Sequence, residues 1–214
     1  MKLILVACMV LLPLIALAQS TEKLVLKGDY SMKDSIAITT AYLTANTAVN
    51  EMYNAMSTIW HVDELSENSK KHQRAENWRA NKDFMIWLGE PTHIHKAYKK
   101  IKKINSKFNK PFILEVIKNN EGRCGRFVSA WAVPYGKVKI RLCRNFVNFD
   151  TKNQSKTIIH ELAHEAGLLF DRGVYRCGAA KSVAANKNKN RAAKRPENYA
   201  WLAMNYLGFG CVSR

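Results

Sequence analysis

The chain has 214 residues, 47% of them apolar and 10% aromatic, which is the composition of a globular protein with one substantial core. Its 34 basic and 17 acidic residues give a net charge of +17, which favours anionic partners such as nucleic acid, anionic lipid or acidic polymers. After residue 18 no apolar run approaches the roughly 18 residues that a membrane-spanning helix requires, which excludes a mature protein held in a bilayer by such a helix.

The N-terminus predicts a secretory signal peptide over residues 1–18. Lys2 precedes an apolar run from Leu3 to Ala16, and Ala16-Leu17-Ala18 fits the small-x-small rule for signal cleavage. We therefore expect residues 19–214 to be a secreted or periplasmic protein, folded as a single domain and monomeric.

The first part of this domain, about residues 33–110, is predicted to be helical. Residues 19–32 read as a short polar lead. From about Asp34 to Trp60, apolar residues recur at steps of three and four, which is typical of a long amphipathic helix. Residues 61–77 are polar and predict a loop or an exposed helical turn.

A later helix, which Thr92 is placed to cap, carries one apolar and one basic face. The basic face is either simply solvated or a surface that binds anions. Its lysines are Lys96, Lys99, Lys100, Lys102, Lys103 and Lys107.

The second part of the domain, about residues 111–214, contains the predicted strands. Phe112 to Ile117 predicts one strand, and residues 124–143 predict two more around a Pro134–Gly136 turn. Pro196 begins a closing helix, because proline favours the first position of a helix.

The cysteines predict two disulfides. Four remain after signal cleavage, and in an exported chain an even number indicates disulfide pairs, with three alternative pairings. Cys124 and Cys143 bracket the predicted hairpin, so a bridge between them would join its two ends. By elimination Cys177 pairs with Cys211.

The most informative stretch, from Thr157 to Gly167, contains His160-Glu161-x-x-His164. Histidines at this spacing lie one turn apart on one face of a helix, so both imidazoles can bind a single zinc ion. Glu161 then lies beside the metal, where it can take a proton from water. The motif predicts one zinc ion per chain and a hydrolase, in the first place a peptidase.

A catalytic zinc takes three protein ligands, and the third must come from elsewhere in the chain. A histidine at position 170 would indicate a metzincin, but that residue is Phe170. Two acidic residues further along, Asp171 and Glu197, are the candidates.

These segments together resemble the aspzincin metalloendopeptidases, a family of deuterolysins and peptidyl-lysine metalloendopeptidases. The family pattern is His-Glu-x-x-His, an Asp closely followed by a Tyr, and a helix containing Asn-Ala-Asp-x-Tyr-Ala-x-Phe. This chain has His160-Glu161-x-x-His164, Asp171 with Tyr175, and Pro196-Glu197-Asn198-Tyr199-Ala200-Trp201-Leu202. The resemblance covers roughly residues 80–207.

The resemblance implies an α+β fold, a mainly helical, zincin-like single domain with a small antiparallel sheet or hairpin beside the His-Glu-x-x-His helix. It implies that His160, His164 and Asp171 hold the zinc. It also implies that Tyr175 hydrogen-bonds the oxyanion of the tetrahedral intermediate, and that Glu197 lines the pocket for the residue after the cut.

The predicted function is a secreted zinc metalloendopeptidase that acts on protein or peptide substrates with Glu161 as the general base. A carboxylate from Glu197 in the pocket would favour a basic residue at the cleavage site, whereas an equally simple role for Glu197 is to satisfy the dipole at the start of the closing helix. The alternative function is a basic secreted protein with an inactive or incidental motif, which binds anionic polymers or cell surfaces.

Overall fold

The computed structural model of the chain describes residues 23–62, 66–117, 122–124, 128–133, 137–168, 177–185 and 192–210. The predicted signal peptide, the Pro134–Gly136 turn and the residues Asp171, Tyr175 and Cys211 lie outside these ranges. No helix in the described part of the chain is both long enough and apolar enough to cross a bilayer.

A long helix, α1 (Met32–Trp60), organises the core and confirms the predicted amphipathic helix. It begins at a capping box, in which Ser31 and Asp34 each donate a backbone amide to the side chain of the other. Its buried stripe packs against three later helices. These helices are α4 (Ile94–Phe108), α5 (Thr151–Glu165) and α7 (Pro196–Tyr206).

Three further helices surround this group, and none of them was predicted as a separate helix. They are α2 (Glu67–Ala80), α3 (Lys82–Leu88) and α6 (Cys177–Ala185). The prediction of a loop or a single turn over residues 61–77 is wrong, because α2 is a full helix. Its only buried residue is Trp78, so it has no apolar stripe that a sequence pattern could reveal.

The helix starts also differ in one place from the prediction. The residue that caps α4 is His93 rather than Thr92, and it makes no side-chain capping hydrogen bond. In contrast, α7 begins at Pro196 as predicted. Two short 3-10 helices, Arg144–Asn148 and Ala192–Lys194, precede α5 and α7.

The described strands form one mixed sheet in the order β1-β2-β4-β3. They are β1 (Leu24–Gly28), β2 (Phe112–Ile117), β3 (Ala130–Ala132) and β4 (Val138–Cys143). The predicted antiparallel hairpin is the pair β3–β4, but β2 pairs in parallel with both β4 and β1. The prediction of a polar lead over residues 19–32 is therefore wrong at β1. The parallel pairing with β2 holds this strand in place.

Both long strands alternate between the core and the opposite face of the sheet. Phe112, Leu114 and Val116 are buried on β2, whereas Glu115 lies on the outer face. There the Lys139 and Arg141 side chains of β4 donate to its carboxylate at 2.7 and 2.8 Å. The hydrogen bond from Lys139, followed by that from Arg141, lowers the pKa of Glu115 despite its partial burial.

A disulfide joins Cys124 to Cys143, as predicted, and so ties the segment before β3 to the end of β4. Cys177 is also disulfide-bonded, and its predicted partner Cys211 lies outside the described residues. The α+β class predicted from the sequence is confirmed.

Substitution of Gly28 by alanine should lower the free energy of unfolding by more than about 1 kcal/mol. Gly28 has φ +98°, and a β-carbon there would overlap the backbone carbonyl oxygen of Val116 on the paired strand. Chemical denaturation measures the loss. Gly178→Ala is the control, because this exposed glycine of α6 has nothing within 4 Å of an added β-carbon. Equal losses in the two variants would contradict the explanation.

Candidate active site

The His-Glu-x-x-His motif lies on α5, which packs against α1, α4 and α7. The Asp150 side chain caps its first turn by accepting a hydrogen bond from the Asn153 amide at 2.7 Å. The apolar residues of the motif, including Ile158, Ile159 and Leu162, are buried. Their burial fixes the rotation of the helix and so determines where the polar residues of the motif lie.

The two histidines lie next to each other at the C-terminal end of α5. The ring centroids of His160 and His164 are 4.9 Å apart, and the ring planes are nearly perpendicular. His160 Nδ1 is 2.9 Å from Oε2 of Glu197 on α7, and His164 Nδ1 is 2.7 Å from the backbone carbonyl oxygen of Leu168. Each imidazole is therefore held through its Nδ1 atom.

These contacts determine the tautomer of each ring. A carbonyl oxygen and a carboxylate oxygen only accept hydrogen bonds, so each Nδ1 carries a hydrogen and the lone pair of the neutral ring is on Nε2. This is the arrangement in which a protein presents histidine to a metal, with one ring nitrogen oriented by an acceptor and the other used as ligand. The donor set of His160 and His164 therefore fits zinc.

Glu197 is the most deeply buried charged residue of the site, with 1% of its surface exposed. Its Oε1 atom accepts hydrogen bonds from Lys156 Nζ at 2.9 Å and from Trp201 Nε1 at 2.8 Å. Its Oε2 atom is the acceptor for His160. Three donors from the protein itself thus compensate a carboxylate whose burial would otherwise cost several kcal/mol.

The position of the Glu197 carboxylate indicates whether it could be the third metal ligand. Oε2 lies on the Nδ1 side of the His160 ring, whereas a ligand sharing a metal with His160 would lie on the Nε2 side. The geometry therefore argues against Glu197 as the third metal ligand.

Glu161 extends from the same helix toward the sheet. Its Oε2 atom accepts a hydrogen bond of 2.8 Å from the backbone amide of Ala132 on β3. Ala132 is at the sheet edge, because within the described residues β3 pairs with β4 alone. Glu161 is 8% exposed, so its carboxylate is held between α5 and this edge.

The remaining predicted site residues, Asp171 and Tyr175, lie outside the described residues. Within the described ranges, no group of three or more His, Cys, Asp or Glu side chains is arranged to hold a metal ion. Asp171 as the third metal ligand therefore remains a prediction from the sequence.

Three contributors to the site were not predicted, namely Lys156, Trp201 and the Ala132 amide. Lys156 precedes His160 by one helical turn, and Trp201 follows Glu197 by one turn, so helical spacing was an available signal for both. The Ala132 amide carries no such signal, because a backbone donor is the same at every residue except proline.

The comparisons with known proteins agree with this geometry. The sequence model of the aspzincin family, which is described as lysine-specific metallo-endopeptidase, matches residues 64–204 of this chain. The chain belongs to the aspzincin family. The fold of this aspzincin is also similar to that of a zinc peptidase from Grifola frondosa, with a TM-score of 0.56 and 18% identity over 83% of this chain and 97% of the other. The comparison with curated proteins finds no match.

Family membership confirms the resemblance predicted from the sequence and the enzyme class, a zinc-dependent metalloendopeptidase. The matched segment extends from before α2 to within α7, and so includes the motif helix, the sheet edge at Ala132 and Glu197. At 18% identity the structural match shows that the aspzincin fold is shared.

Replacement of Glu197 by glutamine should weaken zinc binding by about 10- to 100-fold, because the His160 ring loses the charged acceptor that orients it. Titration of the metal-free protein with zinc against a competing chelator measures the change. Glu67→Gln is the matched control, since the side chain of Glu67 is 84% exposed. If both variants bind zinc as tightly as the wild type, Glu197 does not support the metal site.

Proposed function

We propose that this aspzincin is a secreted zinc endopeptidase in which Glu161 is the general base. The observation that carries the proposal is the joint orientation of three side chains on one helix. His160 and His164 are each held through Nδ1, and Glu161 is held by the Ala132 amide. We further propose Asp171 as the third zinc ligand and Tyr175 as the donor to the oxyanion, on the basis of the sequence pattern.

Zinc, when bound, acts as a Lewis acid that acidifies water and polarises the scissile carbonyl. His160 and His164 would hold it through Nε2. Glu161 takes a proton from the attacking water and then delivers it to the leaving amine, so one carboxylate serves first as base and then as acid. The hydrogen bond from Ala132 keeps one carboxylate oxygen at a fixed place during both transfers.

The open edge of β3 supports an extended substrate beside this carboxylate. In the β3–β4 pair, the Ser129 carbonyl and the Val133 amide face β4, so the backbone groups of Ala130 face the opposite way, toward the open edge. A peptide that adds a strand there gains main-chain hydrogen bonds irrespective of its side chains. Its backbone would lie alongside the Glu161 carboxylate.

For Glu197 we propose a role on His160 rather than on a substrate cation. Both carboxylate oxygens already have donors, one of them the ammonium of Lys156, and the side chain is only 1% exposed. A preference for Lys or Arg at the cleavage site would require Lys156 to give up Glu197. We therefore expect that any basic preference does not depend on Glu197.

Export is proposed from the N-terminal signal. The Cys124–Cys143 disulfide supports it, because disulfides persist in oxidising compartments.

The decisive experiment is the substitution Glu161→Gln, which should reduce peptide hydrolysis by about 100- to 10,000-fold while one zinc remains bound per chain. Glutamine keeps an oxygen acceptor for the Ala132 amide but cannot take a proton from water. Cleavage of a peptide library, with and without chelator, measures activity and the residues beside the cut. Metal analysis measures the zinc content.

The control for this substitution is Glu76→Gln, which removes a half-exposed carboxylate on α2. An active Glu161→Gln protein would overturn the assignment of the base. A wild-type protein that binds no zinc and cleaves no peptide would overturn the proposed function as a whole.

A second function, binding to anionic surfaces or polymers, is supported by the basic face of α4. Four of its six lysines are exposed, and none of the four is paired with a carboxylate among the described residues. The four exposed residues are Lys96, Lys99, Lys102 and Lys103. We propose that they hold the enzyme at an anionic surface without taking part in hydrolysis.

Replacement of all four by glutamine should make the protein elute from heparin resin at lower salt, since each removed charge reduces attraction to the sulfated polymer. A salt gradient measures the shift. The control replaces four exposed lysines outside α4, Lys27, Lys33, Lys82 and Lys137. Equal shifts in elution for both proteins would mean that retention on heparin depends only on net charge. Peptide hydrolysis should be unchanged in both proteins.

A further inference from the structure

The other two lysines of the basic face, Lys100 and Lys107, turn toward the motif helix instead of solvent. Lys100 Nζ donates hydrogen bonds to the carbonyl oxygens of Ala166 and Gly167, at 2.8 and 3.1 Å. Lys107 Nζ is 3.2 Å from Oε2 of Glu165, and both of these side chains are 14% exposed. Helix α4 thus contacts the C-terminal end of α5 through two ammonium groups.

That end of α5 has a defined turn. Gly167 adopts φ +85°, and the Leu168 amide donates to the Ala163 carbonyl at 3.0 Å, which together close the helix in a Schellman-type cap. The next carbonyl, that of Leu168, is the acceptor for His164 Nδ1. The conformation of this turn therefore fixes the acceptor that orients the His164 ring.

Two carbonyls in the turn would lack an intrahelical partner, because the last carbonyls of a helix have no amide ahead of them. Ala166 is fully buried, so water is a poor substitute at its carbonyl, whereas Gly167 is exposed. A cation at a helix C-terminus is favoured by both the hydrogen bonds and the helix dipole. Lys100 supplies this cation, and its partial burial lowers its pKa.

Lys100 approaches Gly167 so closely that it restricts which side chain could fit at this position. A β-carbon added to Gly167 would lie 3.0 Å from Lys100 Nζ. The ammonium therefore occupies the space beside the turn rather than passing over it.

We propose that Lys100 is a positioning residue for the metal site. It holds the carbonyls of Ala166 and Gly167, and thereby the turn whose next carbonyl orients His164. The proposal rests on the proposed zinc endopeptidase function, since it assigns Lys100 a role in presenting one zinc ligand. It separates the lysines of α4 into those that serve the site and those that face solvent.

The test compares Lys100→Met with Lys110→Met. Methionine keeps an unbranched side chain but has no donor, and Lys110 is an exposed lysine just beyond the C-terminal end of α4. Lys100→Met should raise the zinc dissociation constant by about 10-fold and lower kcat at saturating zinc, with KM little changed. Lys110→Met should match the wild type, and Lys100→Arg, which restores a charged donor, should recover most of the loss.

A second readout needs no metal. In the zinc-free protein with ¹⁵N-labelled histidine, the wild type should show His164 as the tautomer protonated on Nδ1, and Lys100→Met should show a mixture of tautomers. A purely structural role would lower the melting temperature without changing either the tautomer or zinc affinity. If Lys100→Met unfolds at the assay temperature, Lys100→Gln, which keeps a neutral donor, supplies the same comparison.

The outcomes separate the two proposals. A wild-type protein that binds zinc, together with a Lys100→Met protein of equal zinc affinity and unchanged His164 tautomer, overturns the role of Lys100 alone. A wild-type protein that binds no zinc overturns the proposed function, and an unchanged tautomer would then remove the positioning role as well.

Discussion

The site depends on one buried carboxylate, that of Glu197, which links the motif helix α5 to the closing helix α7. An ionised carboxyl group in an apolar interior is strongly destabilising unless donors replace its water. Lys156, Trp201 and His160 provide those donors, one of them from α7 itself and two from α5. Removing any one of these donors would leave the buried charge only partly compensated. The contact between Glu197 and His160 therefore both orients the His160 ring and holds α5 and α7 together.

The rest of the site is held from other sides of α5 by the same kind of interaction. The Ala132 amide holds Glu161, and the ammonium of Lys100 holds the carbonyls that follow the helix. His160 and Glu161 are therefore fixed by groups on other elements, the helix α7 and the edge strand β3, whereas His164 is fixed by the Leu168 carbonyl in the turn that follows α5. This arrangement orients the proposed metal ligands and the proposed base before metal or substrate binds, which limits the reorganisation needed for catalysis.

The lysines of α4 divide into two groups that its sequence pattern merges. Its lysines form one basic face by helical spacing, yet Lys100 and Lys107 contact α5, whereas Lys99 and Lys103 are exposed. Only the packing angle of α4 on α5 decides which ammonium groups reach the C-terminal end of the motif helix. Charge alone would treat all of them as one surface.

Local patterns in the sequence were enough to predict α1, the β2 strand, the β3–β4 hairpin with its disulfide, the start of α7 at Pro196 and the His-Glu-x-x-His helix. Each of these rests on periodicity, a proline or a short spacing, and such signals act between residues close in the chain. The strand β1 and the helix α2 escaped prediction. The former is stabilised by pairing with a strand far along the chain, and the latter buries only Trp78. The partners of Glu197, the amide that holds Glu161 and the lysine that caps α5 were decided by the tertiary structure. The reason is that a hydrogen bond between distant segments depends on how the fold places their backbones, and no local sequence pattern contains that information.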